Sequence, residues 1–133
     1  MASLFDNLPN PRAAELRAGL AHFTGTETWY RHWTKRALYT DGARFLADTA
    51  GAHWLLDVIA SWQQHQSVRA ETFQHWVLRR ESAWWRLACD DGNGQILASQ
   101  RIKGSDFPLD TISLYCVAGG PSGLPVIMLP GEY

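Results

Sequence analysis

The densest run of chemistry-bearing residues is Trp29-Tyr30-Arg31-His32-Trp33-Thr34-Lys35-Arg36, where rings and cations alternate. Interleaved aromatics and bases suit stacking on nucleobases with phosphate neutralisation. They suit a protein–protein hot spot equally well, because Trp, Tyr and Arg dominate such surfaces. The plainer alternative is an amphipathic segment that buries Trp29 and Trp33 and leaves Arg31, Lys35 and Arg36 in water. A second run is Leu78-Arg79-Arg80-Glu81-Ser82-Ala83-Trp84-Trp85-Arg86. On a strand, consecutive tryptophans face opposite sides, so one ring is left on the open face beside Arg79, Arg80 or Arg86. Such a ring marks an interface, often self-association, or is tidied by a cation–π stack. The expected partner-binding residues are therefore Trp29, Tyr30, Arg31, Trp33, Lys35, Arg36, Arg79, Arg80, Trp84 and Arg86.

Catalytic signatures are missing. Gly120-Pro121-Ser122-Gly123-Leu124 fails the G-x-S-x-G spacing of a nucleophile elbow. Gly92-Asn93-Gly94 lacks the third glycine of a dinucleotide loop. A calcium loop counted from Asp90 would need Glu at its twelfth position, which is Arg101. His53 and Asp57 stand i, i+4 and could share an ion with His22, His32, His65 or His75, but no H-E-x-x-H or C-x-x-C fixes a site. The ordinary reading of the pair is a helix-surface hydrogen bond. No catalytic residue, metal or cofactor is expected.

The elements that carry these residues follow from periodicity. Asn10-Pro11 has the form of an N-cap followed by proline at the first helical position. Leu16, Leu20 and Phe23 continue that helix, which Gly25 ends. Residues 29–36 fit a short helix or an extended segment. Thr40 or Asp41 caps a helix through Phe45, Leu46 and Thr49 that stops near Gly51. Trp54, Leu55, Val58, Ile59 and Trp62 form the apolar stripe of a core helix over residues 52–64, with His53, Asp57, Ser61 and Gln64 on its polar face. Beyond Ser67 the period becomes 2. Strands are expected at residues 73–78, 83–89, 96–102, 112–117 and 126–129, with a hairpin at Asp90-Asp91-Gly92-Asn93-Gly94. Helices first and strands after predict one α+β domain over residues 1–133. Its helical half is about 10–66 and its strand half about 70–130, with N-terminal helices on one face of an antiparallel five-stranded meander.

Composition narrows the class. The chain has 133 residues, twelve Lys+Arg against thirteen Asp+Glu, and a net charge of −1, which excludes binding to nucleic acid by bulk charge. No secretory leader is read at residues 1–7 and no run of about 18 apolar residues occurs, so a cytoplasmic protein without membrane contact is expected. Cys89 and Cys116 lie in strand-like apolar runs and read as buried thiols. Seven tryptophans are unusual for this length. Trp54 and Trp62 are assigned to the core, Trp76 and one of Trp84/Trp85 to the buried sheet face, leaving Trp29, Trp33 and the other of the pair open.

Several strings together resemble one bacterial family of small mobile-element proteins, catalogued as domain of unknown function 6876. They are Phe23-Thr24-Gly25-Thr26-Glu27-Thr28-Trp29-Tyr30-Arg31-His32, Leu38-Tyr39-Thr40-Asp41-Gly42, Gly51-Ala52-His53-Trp54-Leu55-Leu56-Asp57-Val58-Ile59-Ala60, Asp106-Phe107-Pro108-Leu109 and Met128-Leu129-Pro130-Gly131-Glu132-Tyr133. The resemblance runs from about residue 12 to Tyr133. It departs at residues 119–125, longer than the family's usual turn, and at Gly131, where Ser is expected. It implies a small single-domain protein with no catalytic residues to carry over. The expectation is a non-enzymatic protein acting through protein–protein contacts, in its sharpest form an inhibitor of a bacterial defence complex (anti-CRISPR-like), and a homodimer is an option. Nucleic acid is the disfavoured partner; a nucleic-acid-binding accessory protein and a metal-dependent enzyme using His53 and Asp57 are the alternatives.

Overall fold

The computed structural model describes residues 11–133. The reading of no secretory leader at residues 1–7 and the Asn10 cap lie outside the described residues. The elements are α1 (Pro11–Leu20), β1 (Trp29–Arg31), β2 (Leu38–Thr40), α2 (Asp41–Ala50), α3 (His53–Trp62), the single turn α4 (Gln66–Arg69), β3 (Phe73–Glu81), β4 (Trp84–Asp90), β5 (Ile96–Lys103), β6 (Thr111–Val117) and β7 (Val126–Met128).

α2 begins and ends where the sequence places it. The Thr40 side chain accepts the Ala43 N–H, and Gly51 closes the helix at φ 63°, a left-handed cap that glycine adopts without a Cβ clash. α1 stops at Leu20, short of Gly25. The ring of Phe45 occupies the space that a Cβ on Gly19 would need, so this glycine lets α2 approach α1 closely. The apolar stripe of α3 turns by part of a helical turn relative to expectation. Leu55, Leu56, Ile59 and Ala60 are buried, whereas Trp54 and Trp62 are only partly buried against the core. The Trp62 Nε1–H donates to Gln100 Oε1 at 2.9 Å, and a ring with a polar atom to satisfy settles at the margin.

The α+β class holds, but the sheet is larger and differently threaded than a five-stranded antiparallel meander. It has seven strands in the order β1-β2-β7-β6-β3-β4-β5. β2 pairs parallel with β7, which makes the sheet mixed and sews the N-terminal part of the chain into the C-terminal part. β6 lies beside β3 rather than β5. The residue types explain the placement. β6 (Thr111-Ile112-Ser113-Leu114-Tyr115-Cys116-Val117) is apolar enough for an interior position, while β5, with Gln100, Arg101 and Lys103, is suited to an edge. The returning loop buries Phe107 and Leu109.

All long helices cover one face of the sheet, with α2 between α1 and α3. That face contributes Trp76, Leu78, Trp85, Leu87, Cys89, Leu114, Cys116 and Ile127 to a core shared with Leu46, Leu55, Leu56 and Ile59. A polar knot lies inside it. Buried Gln63 and Gln74 exchange amide hydrogen bonds of 2.8 and 2.9 Å. Gln74 also donates to the Val68 carbonyl at 3.0 Å and accepts from Trp76 Nε1 at 3.0 Å. Among the described residues no buried side-chain polar atom lacks a partner, so this knot rigidifies the junction of α3, α4 and β3 instead of weakening it. Cys89 and Cys116 are free and buried; burial, and the nearby Asp90 carboxylate, push the Cys89 thiol up to about 12.

Candidate functional site: the Trp33 cleft and the open sheet face

Residues 29–36 are not a helix. β1 and β2 form an antiparallel hairpin. The His32 N–H donates to the Ala37 carbonyl at 2.9 Å and the Lys35 N–H to the His32 carbonyl at 2.9 Å. Lys35 sits at φ 63°, the left-handed position with which such loops close. Alternation on a short strand then sorts the side chains. Trp29 and Arg31 are exposed and Tyr30 is half-buried. Tyr30 stacks on Tyr39 at 5.5 Å, donates its hydroxyl to Asp41 Oδ1 at 2.8 Å and lies under the Arg44 guanidinium, 4.7 Å away. Tyr30 is therefore engaged in holding the hairpin to α2 and does not belong to the exposed surface expected of it.

At the hairpin tip, Trp33 is 74% exposed, yet its Nε1–H donates to Asp57 Oδ1 on α3 at 2.9 Å. The same oxygen lies 2.7 Å from His32 Nε2. The tautomer of His32 follows from its other nitrogen: the Thr34 N–H donates to Nδ1 at 3.2 Å, so Nδ1 is an acceptor and the neutral ring carries its proton on Nε2, directed at Asp57. Thr34 Oγ1 is 2.9 Å from Nδ1 and accepts the Arg36 N–H at 3.3 Å. The Thr34–His32–Asp57 chain superficially has the order of a nucleophile, base and carboxylate. However, the ring is only 3% exposed and both its nitrogens are engaged by the turn and by α3, so it fastens the hairpin tip. Asp57 Oδ2 has no protein partner among the described residues.

The sequence-level pairing of His53 with Asp57 is not formed. His53 Nε2 contacts Asp48 Oδ1 at 2.6 Å instead. Asp57 is drawn to the hairpin by two donors that no local spacing could reveal. Among the described residues no group of three or more potential metal ligands converges.

A cleft of about 570 Å³ opens beside Trp33, lined by Thr34, Arg36, Asp57, Val58, Ser61 and Gln64. It offers a flat ring, a carboxylate oxygen, a guanidinium and an amide within one concavity. The aromatic and basic members of this set stand out in the sequence; Asp57 stands out there only as the i+4 neighbour of His53, not as the acceptor for Trp33.

The second expected surface is divided by the pleat. Trp85 is buried at 4% exposure and Trp84 is left out at 38%. Arg80 belongs to the helix side: its guanidinium lies over the Trp85 ring at 4.9 Å and pairs with Asp110 at 3.7 Å. Arg79, Arg86 and Trp84 point to the open face. Five strand intervals separate β1 from β4, about 24 Å at about 4.8 Å each. The Trp33 cleft faces the helices and Trp84 faces away from them, so the two sets of residues form two separate surfaces.

A family model, described as a family of unknown function (DUF6876), matches residues 14–133. No curated protein and no solved structure matches the chain. Among the described residues no helix is long and apolar enough to cross a membrane.

Proposed function

Because the chain belongs to the family of unknown function DUF6876, which brings no activity with it, we propose from its own geometry that it is a non-enzymatic binding protein whose Trp33 cleft captures a partner protein. The observation that carries this reading is a tryptophan 74% exposed but already held in place by Asp57 at 2.9 Å. An exposed ring free to rotate would lose about 0.5–1.5 kcal/mol of side-chain freedom on binding; the hydrogen bond to α3 removes most of that cost in advance. Trp and Arg in a concave setting are the residue types that dominate interface energetics. Arg36 at the rim and Asp57 Oδ2 inside supply opposite charges for orienting the incoming segment. The enclosure of His32 supports binding over catalysis, since the imidazole has both nitrogens engaged by the turn and by α3 and is not presented to the cleft as a base.

The test is affinity capture with the wild-type chain and with the double variant Trp33→Ala/Arg36→Ala, which leaves Arg31, on the other side of β1 from Tyr30, in place. A partner retained by the first and lost by the second, followed by a Kd measured with the purified partner, is the expected result. Equal retention by both chains removes the cleft from the binding surface. Retention that survives in this variant and disappears on Arg79→Gln/Arg101→Gln would move the protein interface to the other face.

A further inference from the structure

The register of β3, β4, β5 and β6 places Thr111, Arg79, Arg86 and Arg101 directly opposite one another in a single row on the face that no helix covers. The next outward row is Glu81, Trp84 and Lys103. With strands about 4.8 Å apart, the three arginines originate within about 10 Å of each other. Like charges directly opposite on a sheet are destabilising, and little here offsets them. Arg86 donates to Glu81 Oε1 at 3.0 Å and to Ser99 Oγ at 3.1 Å, and Arg101 lies over the Trp84 ring at 5.1 Å. Among the described residues, Arg79, Arg101 and Lys103 have no acidic partner. Asp90, on the same face, is occupied by His75 at 3.2 Å. Four cations thus stand against Glu81 in a chain whose net charge is −1, so the patch is made by strand register and not by composition.

We infer that this face binds the sugar–phosphate backbone of a single-stranded nucleic acid, with Arg79, Arg86 and Arg101 holding successive phosphates, Lys103 extending the row and a base stacking on Trp84. Charge complementarity selects the occupant. Four cations against one carboxylate call for an occupant that carries a row of negative charges, which a phosphate backbone supplies at every nucleotide. A cationic track beside an exposed ring is the composition of single-strand sites. Val77, Ala88, Ser99 and Ser113 make the adjoining row of small side chains on the same face, and a shallow hollow of about 220 Å³ opens there between Val77, Ala88, Arg79 and Arg86, with room for a base beside the arginines. Glu81 and Ser99 fix the Arg86 Nε and Nη1, so its guanidinium is oriented before any phosphate arrives. This surface is independent of the Trp33 cleft.

The experiment is fluorescence anisotropy of labelled oligo(dT) and oligo(U) of about 12 nucleotides with the full chain, between about 20 and 200 mM NaCl. Three to four phosphate contacts on a single strand predict a log–log salt slope of about −2 to −3. Arg79→Gln/Arg101→Gln should reduce that slope by about 1.4, while melting at or above the wild-type temperature because repulsion is relieved. Trp84→Ala should weaken binding about ten-fold and abolish the quenching of tryptophan fluorescence by the oligonucleotide. Trp33→Ala should bind as the wild type does. The inference is overturned if no saturable binding occurs at the lowest salt, if the slope is near zero, or if the arginine variant binds unchanged. It is overturned equally if poly-L-glutamate of matched charge competes with full effect and Trp84→Ala changes nothing, which would make an acidic protein the occupant.

Discussion

Substituting Glu132 tests the packing logic at a single atom group. This carboxylate, second from the C-terminus, is 8% exposed and accepts four hydrogen bonds. Thr40 Oγ1 (2.6 Å) and the Leu129 N–H (3.0 Å) reach Oε1; Thr26 Oγ1 (2.8 Å) and the Gly42 N–H (3.2 Å) reach Oε2. One of these donors is in the first turn of α2, where an anion meets the positive end of the helix dipole. Glu132→Ala leaves two buried backbone N–H groups and the Thr40 hydroxyl proton without acceptors, whereas Thr26 is accessible enough to turn to water. At about 1–2 kcal/mol for each of the three orphaned donors, the loss is about 3–6 kcal/mol. For a chain of this length that is a fall in Tm of about 10–25 °C. Glu132→Gln retains one acceptor oxygen and should lose about half as much. Gly42→Ala perturbs the same knot from the other side, since its Cβ would stand 2.7 Å from both Glu132 Cδ and Leu129 Cδ1. The two substitutions share one cause, so the cost of Gly42→Ala must shrink in the Glu132→Ala background. Urea unfolding followed by tryptophan fluorescence, on the two single variants and the double, measures this directly. A loss below about 1 kcal/mol for Glu132→Ala, or strict additivity of the pair, would show that this carboxylate is not what satisfies these donors.

Asp57→Ala should destabilise by about 1–3 kcal/mol, because the buried His32 loses the acceptor of its Nε2–H, while Asp57→Asn loses less; urea midpoints compare them, and the Trp33 emission should shift red in the alanine variant. Ser82 adopts φ 55° between β3 and β4, so Ser82→Gly should stabilise by about 0.5–1 kcal/mol, read as a higher urea midpoint. Native protein should not react with a thiol reagent, and both Cys89 and Cys116 should react once it is unfolded. The folded Cys89 thiol is held neutral up to about 12 against an ordinary value of 9.0. Its contribution is therefore intact below pH 9 and is lost as the pH rises from 9 towards 12. Urea midpoints measured across that range should fall less for a Cys89→Ala/Cys116→Ala variant than for the wild type.

What was readable beforehand and what was not divide along physical lines. α2 was legible to its ends because capping is local: Thr40 and Gly51 lie within the segment they terminate. β3 to β6 were legible because a period of 2 is written in each strand separately, and β7 because the glycine-rich turn at residues 119–123 precedes an apolar run. Strand order was not, since β6 chooses β3 over β5 through contacts made far along the chain. The hairpin at Trp29–Arg31 was obscured because three-residue strands carry too little period to separate from a helix. Trp54 and Trp62 belong to an apolar stripe whose centre depends on what packs against it; α2 and the sheet bury Leu55 and Ile59 of that stripe together with Leu56 and Ala60, and leave Trp54, Val58 and Trp62 at its margin.

The same division governs the candidate surfaces. Residue types and spacing alone single out Trp33, Arg36, Arg79, Arg86 and Trp84 as aromatic and basic groups set side by side. The net charge excludes binding to nucleic acid by bulk charge, because that depends only on the sum over residues. How that chemistry is arranged comes from contacts between distant parts of the chain. Asp57 reaches Trp33 across 24 residues of chain, and pairing between strands aligns Arg79, Arg86 and Arg101, which are scattered along it. Burial of Trp85 required Trp84 to face outward, because neighbouring side chains on a pleated strand must take opposite sides. Local rules fix which groups exist and which way they alternate; hydrogen bonding between distant strands fixes which of them meet.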